Sequence, residues 1–254
     1  MATSEEIHVL QSAQELFEAA AREFVSQAEA AIAARGKFSV ALSGGSTPKS
    51  LYSLLASSFS ASLSWNKIYF FFGDERNVPP EDPESNYRMA NEAMLSKVPI
   101  PSENVFRVRT EASNAEAAAV HYEDTLRKFF ALRDGEFPRF DLTLLGMGAD
   151  GHTASLIPGT SALEEKKRLV VANWAPKLNA YRITFTFPVL NHSTSVMFLA
   201  SGPDKAAMIH QVLEERRADL PATRVQPVNG RLIWMLDQAA AVGLSEATRA
   251  VELH

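Results

Sequence analysis

Short apolar runs alternate with helical stripes along this chain, and that alternation limits the fold more than any other feature. Phe38–Ser43 (FSVALS), Ile68–Phe72 (IYFFF), Asp141–Gly148 (DLTLLGMG), Arg182–Phe187 (RITFTF), Val196–Ser201 (VMFLAS) and Arg231–Leu236 (RLIWML) read as strands. Several are apolar at consecutive positions, as expected of strands covered on both faces. Phe17, Ala20, Phe24, Ala28 and Ile32 form a stripe at helical spacing, with Gly36 as its stop. Residues 85–97, 113–133, 203–216 and 237–247 also read as helical. Strand alternating with helix gives an α/β fold with a mainly parallel sheet. Ligands of such sheets sit beyond the carboxyl ends of the strands, so those loops are where function is sought.

Composition narrows the class. The 254 residues carry a net charge of −5, which argues against a broad nucleic-acid-binding face. There is no cysteine, so disulfides, thiolate nucleophiles and cysteine metal sites are excluded. The start, MATSEEIHVL, lacks the basic and apolar regions of a signal peptide, and no apolar run approaches the roughly 20 residues of a membrane span. A cytoplasmic enzyme or binding protein is expected. Ala56–Ser62 (ASSFSAS) reads as a short link, and residues 1–254 as one domain.

Four strand ends bear chemistry. In ALSGGSTPKSLYSLL, a strand runs into Ser43, Gly44, Gly45, Ser46 and Thr47, and Pro48 fits the first helical turn. The loop is either an anion site at a helix N-terminus or a plain Ser/Thr-capped turn. It is neither a Walker loop nor a Gly-x-Gly-x-x-Gly loop, so no nucleotide is inferred. A second apolar strand delivers Asp74, Glu75 and Arg76; Arg76 suits phosphate or carboxylate. Ser85 reads as an N-cap, with Ser85-Asn86 either capping only or contributing to a site. The third strand ends in Asp150-Gly151-His152. Imidazole suits proton transfer near neutral pH, and His152 is the only histidine in a glycine loop at a strand end. His192 is an outside candidate; His8, His121, His210 and His254 read as strand, helix-surface or terminal residues. No spacing makes a metal site and no Gly-x-Ser-x-Gly elbow occurs, which favours water as nucleophile. Arg182 and Lys205 are the last pair, each a binding cation or a solvated surface charge.

Seven segments, in order, resemble the 6-phosphogluconolactonase family: LSGGSTP (Leu42–Pro48), GDERNVPPEDPESNY (Gly73–Tyr87), LGMGADGHTASLIPG (Leu145–Gly159), YRITFTFPVLN (Tyr181–Asn191), VMFLASGPDK (Val196–Lys205), LPATRVQP (Leu220–Pro227) and GRLIWMLDQAAA (Gly230–Ala241). The resemblance implies a Rossmann-like domain of three αβα layers, related to glucosamine-6-phosphate deaminases and ribose-5-phosphate isomerases. It implies hydrolysis of 6-phospho-D-glucono-1,5-lactone in the oxidative pentose phosphate pathway, with neither metal nor organic cofactor. It makes His152 the catalytic base and Asp74 an active-site acid. Ser43, Gly44, Gly45, Ser46, Thr47, Arg76, Gly151, Arg182 and Lys205 become substrate or phosphate contacts, with Arg76 also a candidate for the oxyanion. A sugar-phosphate lactone is the expected partner of a monomer or weak homo-oligomer. Ile157, Asn77, His192 and the stretch APKLNAY (Ala175–Tyr181) depart from the usual pattern, and the last blurs how Arg182 is presented.

Two rivals share the fold. A glucosamine-6-phosphate deaminase reads more like His-Ile-Ala-Phe-Asn-Glu-Pro after the glycine, whereas this chain has HTASLIPG and lacks the Asn-Glu pair. A non-catalytic sugar-phosphate sensor would carry a basic DNA-binding segment, for which the sequence shows no candidate.

Overall fold

The computed structural model describes residues 4–112 and 114–249. The chain opens with β1 (Ser4–Leu10) and α1 (Ala13–Arg35). Ser12 caps α1 by accepting from the Glu15 N–H, and Gly36 ends it at φ 76°. The expected stripe is its inner side: Ala20, Phe24 and Ala28 are buried, with Phe17 and Ile32 partly buried against them. Then come β2 (Phe38–Leu42), α2 (Ser46–Ser57), β3 (Ile68–Phe72), β4 (Asp74–Arg76), α3 (Asn86–Ala93) and α4 (Ala115–Phe130). The second half holds β5 (Leu142–Leu145), β6 (Val170–Ala175), β7 (Ala180–Phe185), α5 (Phe187–Asn191), β8 (Ser195–Ala200), α6 (Ala206–Leu213), β9 (Arg231–Asp237) and α7 (Glu246–Arg249).

Six strands form one sheet in the order β1-β9-β8-β5-β2-β3, parallel throughout. Alternate side chains point to opposite faces, and each face has its own core. Val40, Leu42, Phe70, Phe72, Leu142, Leu144, Met197 and Leu199 pack with α1, α2 and α3. Ala41, Phe71, Leu145, Phe198 and Trp234 pack with α4, α6 and a second, smaller sheet. Consecutive apolar residues such as Phe70, Phe71 and Phe72 are therefore required, because neither face meets water. The expected three-layer α/β architecture is what the chain forms.

The smaller sheet is antiparallel, in the order β4-β7-β6. It absorbs the predicted strand Arg182–Phe187, so that run never joins the main sheet. The charged β4 and the run β6 were not expected as strands. Two helix predictions are too long: α3 gives way to a tight turn at Leu95–Lys97, and α6 is preceded by another at Pro203–Lys205 and ends at Leu213. The predicted helix 237–247 is incorrect over most of its length. Asp237 closes β9, and its carboxylate accepts from the Ala240 N–H, from the Ser201 hydroxyl and from the Gly202 N–H. That network holds a turn where alanine content alone favours helix. Helix appears only at Glu246–Arg249. Residue 113, the first of the predicted 113–133 helix, and His254 lie outside the described residues. Among the described residues no helix is long and apolar enough to cross a membrane.

Tyr52 ties α2 back to the end of β2. Its buried hydroxyl accepts from the Ser43 N–H at 2.9 Å and donates to the Ser43 carbonyl at 2.8 Å. Burial pushes the phenol pKa up, so it stays a neutral donor. Tyr52→Phe keeps the ring and strands both Ser43 backbone groups; the expected loss is about 1–3 kcal/mol. Urea unfolding of the two proteins measures it, and equal midpoints would contradict this role.

Candidate active site

β2 and β5 are neighbours in the sheet, yet their exits diverge. The chain leaves β2 into α2, whose Leu51 and Leu55 belong to one core, and leaves β5 toward Met147 and Leu156 in the other. Such a point opens a crevice at the strand carboxyl ends. A cleft of about 300 Å³ lies there, lined by Ser43, Gly44, Gly45, Ser46, Thr47, Asp74, Arg76, His152, Arg182 and Lys205. The structure thus brings together nine binding or catalytic candidates around His152, drawn from the exits of β2 and β8 and from the β4–β7 ladder. Asn86, Gly148, Ser155, Ile157 and Leu178 complete the wall.

Of the two readings left open for the glycine loop after β2, the structure removes the Ser/Thr-capped turn. The helices α1, α3 and α4 are capped by Ser12, Ser85 and Asn114 side chains. The helix α2 has Gly45 at its cap position and no side-chain cap. Its first N–H groups belong to cleft-lining residues Ser46 and Thr47, and orphan N–H groups with the helix dipole favour an anion.

Across the cleft, Gly151 adopts φ 76°, a conformation that an L side chain resists, and this folds Asp150 back onto His152. Asp150 Oδ1 lies 2.5 Å from His152 Nδ1 and accepts the His152 N–H at 3.2 Å. Gly148 donates to the His152 carbonyl, and a Cβ on Gly148 would sit 2.1 Å from the ring Cε1, so only glycine admits the imidazole. Partial burial would raise the Asp150 carboxyl, but the hydrogen bond and charge of His152, with backbone donors, hold it below the ordinary carboxylate range. An ionised Asp150 accepts only from a protonated Nδ1, so Nε2 carries the free lone pair of the neutral ring.

Two sequence assignments shift. Gly151 does not line the cleft; a Cβ there would meet Leu220 and Met208, so its service is to the turn. Asp74 lines the cleft but holds no bond to the imidazole. Its carboxylate accepts from the Ser155 hydroxyl at 2.6 Å and from Asn86 Nδ2 at 3.2 Å. The acid that orients His152 is Asp150, for which the signal was Asp-Gly-His itself: two residues apart across a left-handed glycine. Asn86 was also underrated. Ser85 does cap α3, accepting from the Arg88 N–H, while Asn86 reaches Asp74 and presses on Gly44. Beneath them the buried Glu75 accepts from the N–H groups of Arg76, Asn86 and Tyr87 and from the Ser85 hydroxyl. Burial pushes its carboxyl pKa up in spite of the three backbone donors.

Arg76 and Arg182 are register partners in the β4–β7 ladder, so two guanidinium groups line the cleft side by side. Arg76 donates to the Glu84 carbonyl. Arg182 Nη1 is buried with no hydrogen-bond partner. Burial first, then the charge of Arg76, pull the Arg182 pKa down. Two like charges side by side, one with an unmet donor, are an arrangement that an anion would stabilise. Lys205, 3.5 Å from Asp204, adds a third cation. His192 does not reach the cleft: it precedes β8 at the opposite sheet edge, its Nδ1 2.6 Å from the Pro188 carbonyl. Among the described residues no three His, Asp or Glu side chains gather as metal ligands.

Residues 11–234 match the family described as glucosamine-6-phosphate isomerases/6-phosphogluconolactonase. A 6-phosphogluconolactonase of Nostoc sp. is 44% identical over 87% of this chain and 90% of its own length. One from Synechocystis sp. is 43% identical over 94% of this chain and 98% of its own. The solved 6-phosphogluconolactonase from Trypanosoma cruzi superposes with a TM-score of 0.84 at 32% identity, covering 96% of this chain and 98% of that one. With the family's description matching from α1 into β9 and these relatives aligned nearly end to end, the chain belongs to the glucosamine-6-phosphate isomerase/6-phosphogluconolactonase family.

Proposed function

We propose that this chain, acting as one domain, hydrolyses 6-phospho-D-glucono-1,5-lactone to 6-phosphogluconate, with His152 as general base toward water. The observation that carries the mechanism is the pairing, in one cleft, of an Asp150-oriented imidazole with an unpartnered buried guanidinium. The names of the relatives quoted above support the substrate.

The δ-lactone is an activated ester, so no covalent enzyme intermediate is needed. Nε2 of His152 takes a proton from a water as its oxygen bonds to C1, and the carbonyl π electrons move to the oxygen. Arg76 is the donor available to that oxyanion. On collapse the carbonyl reforms, the C1–ring-oxygen bond breaks, and the imidazolium returns its proton to the departing oxygen. Asp150 stays ionised, holds the ring in one tautomer and balances the imidazolium. Arg182, Lys205 and the Ser43–Thr47 loop hold the phosphate, which fixes C1 against the water. Asp74, already fixed by Ser155 and Asn86, accepts from a sugar hydroxyl. The proposal takes the chain to work as a monomer or weak homo-oligomer in the cytoplasm.

His152→Ala lowers kcat by roughly 10²–10⁴-fold with KM little changed, and Asp150→Asn lowers kcat less, also with KM held. Both are read by lactone hydrolysis above the spontaneous rate; near-normal kcat in His152→Ala rules out the base assignment. Arg182→Gln has effects of opposite sign. It raises KM by roughly ten- to hundredfold, the worth of a charge-assisted hydrogen bond. It also raises the thermal midpoint of the ligand-free protein, because a desolvated like charge beside Arg76 is removed. An unchanged KM or a lower midpoint contradicts the clamp.

A further inference from the structure

Glu75 is 2% exposed and does not line the cleft, yet it joins two segments that do. Its Oε1 accepts from the N–H groups of Arg76 and Asn86, each at 2.7 Å. Its Oε2 accepts from the Tyr87 N–H at 2.8 Å and from the Ser85 hydroxyl at 3.1 Å. All four donors are neutral, whereas a buried charge is ordinarily paired with an opposite one. Helix capping alone does not account for that cost, because the Ser85 hydroxyl already accepts from the Arg88 N–H. The carboxylate instead clasps the end of β4 to the start of α3, and so closes the loop Asn77–Glu84.

What hangs on the clasp is Asn86. Its Nδ2 donates to the Asp74 carbonyl at 2.9 Å and to the Asp74 carboxylate at 3.2 Å. The amide also abuts Gly44, where a Cβ would lie 2.0 Å from Oδ1. Asp74 and Gly44 are both cleft wall, one from the small sheet and the other from the exit of β2. We propose that Glu75 is a positioning residue: by fixing the Asn86 backbone it sets the Asn86 amide between Asp74 and Gly44, and with it the seat of the sugar ring. The kinetic consequence rests on the lactone hydrolysis proposed above. Glu75 touches no substrate and acts only through Asn86.

The test compares Glu75→Gln, Glu75→Asp, Asn86→Ala and the two double variants, each assayed well below its thermal midpoint. Gln keeps the shape but turns an NH₂ group toward N–H donors; Asp keeps the charge and loses the reach. Both are expected to lower kcat/KM by roughly tenfold to hundredfold, the scale of a small misplacement in a site. On top of Asn86→Ala, either change costs no more than about twofold further, because the two residues act as one unit. In ¹⁵N-labelled full-length protein, the Asn86 side-chain amide signals, assigned by their loss in Asn86→Ala, exchange faster with water in both Glu75 variants. Parent-level kcat/KM in a folded Glu75 variant overturns the proposal. So does a loss that recurs undiminished on top of Asn86→Ala, as an electrostatic effect of Glu75 on Arg182 would. Unchanged exchange of the Asn86 amide overturns it too. If the parent protein does not accelerate lactone hydrolysis, the proposed reaction falls, and the amide exchange alone decides the positioning.

Discussion

Asp141 locks β5 onto β2, and the site depends on that lock. Its carboxylate accepts from the Ser39 N–H at 2.7 Å and the Ser39 hydroxyl at 2.8 Å, and it pairs with Arg35 at the end of α1. The register that follows sets Val40 beside Leu142 and Ala41 beside Thr143. A slip of one residue would exchange the two faces of β5, sending Leu142 and Leu144 out of the core made by α1 and α2. With the register fixed at the amino ends, the two glycine loops emerge level with each other at the carboxyl ends. The Ser43–Thr47 loop and the Asp150–His152 turn face each other because two strands with five elements between them in sequence start from one carboxylate.

What could be read from the sequence follows from range. The main-sheet runs Phe38–Leu42, Ile68–Phe72 and Val196–Ala200 were legible because burial on both faces writes itself into consecutive residues. The strand ends were legible as a site because parallel sheets bind ligands there. Asp74–Arg76 was not legible as a strand: it is charged, and it exists by pairing with β7, more than a hundred residues away. The adjacency of Arg76 and Arg182 was hidden for the same reason. Asp150 as the partner of His152 was hidden too, because that contact turns on one dihedral angle: Gly151 at φ 76° folds the carboxylate back onto the ring. The failed helix at 237–247 has a like cause, since Asp237 spends its carboxylate on β8's exit loop, a partner that local propensity does not see.

Two unmet interactions meet at the cleft. Elsewhere, side chains cap the helices α1, α3 and α4, and acids pair several arginines; Arg231, for example, is held by Glu6 and Glu23. At the cleft the pattern stops: α2 has no side-chain cap, and Arg182 is desolvated beside Arg76 with an unused donor. Asp74, Glu84 and Glu75 offset part of that positive charge, which is how the pair persists without an anion. In the proposed reaction a phosphorylated lactone offers phosphate oxygens to the cations and to the N–H groups at the start of α2, and a developing oxyanion to Arg76. Donors already oriented by folding need little reorganisation when the negative charge appears, so they favour the transition state over the neutral carbonyl. The imidazole is the exception that proves the division of labour. It is oriented by the fold itself, with Nδ1 committed to Asp150, as the proposed base role requires, since a base must hold its tautomer before the water comes into place.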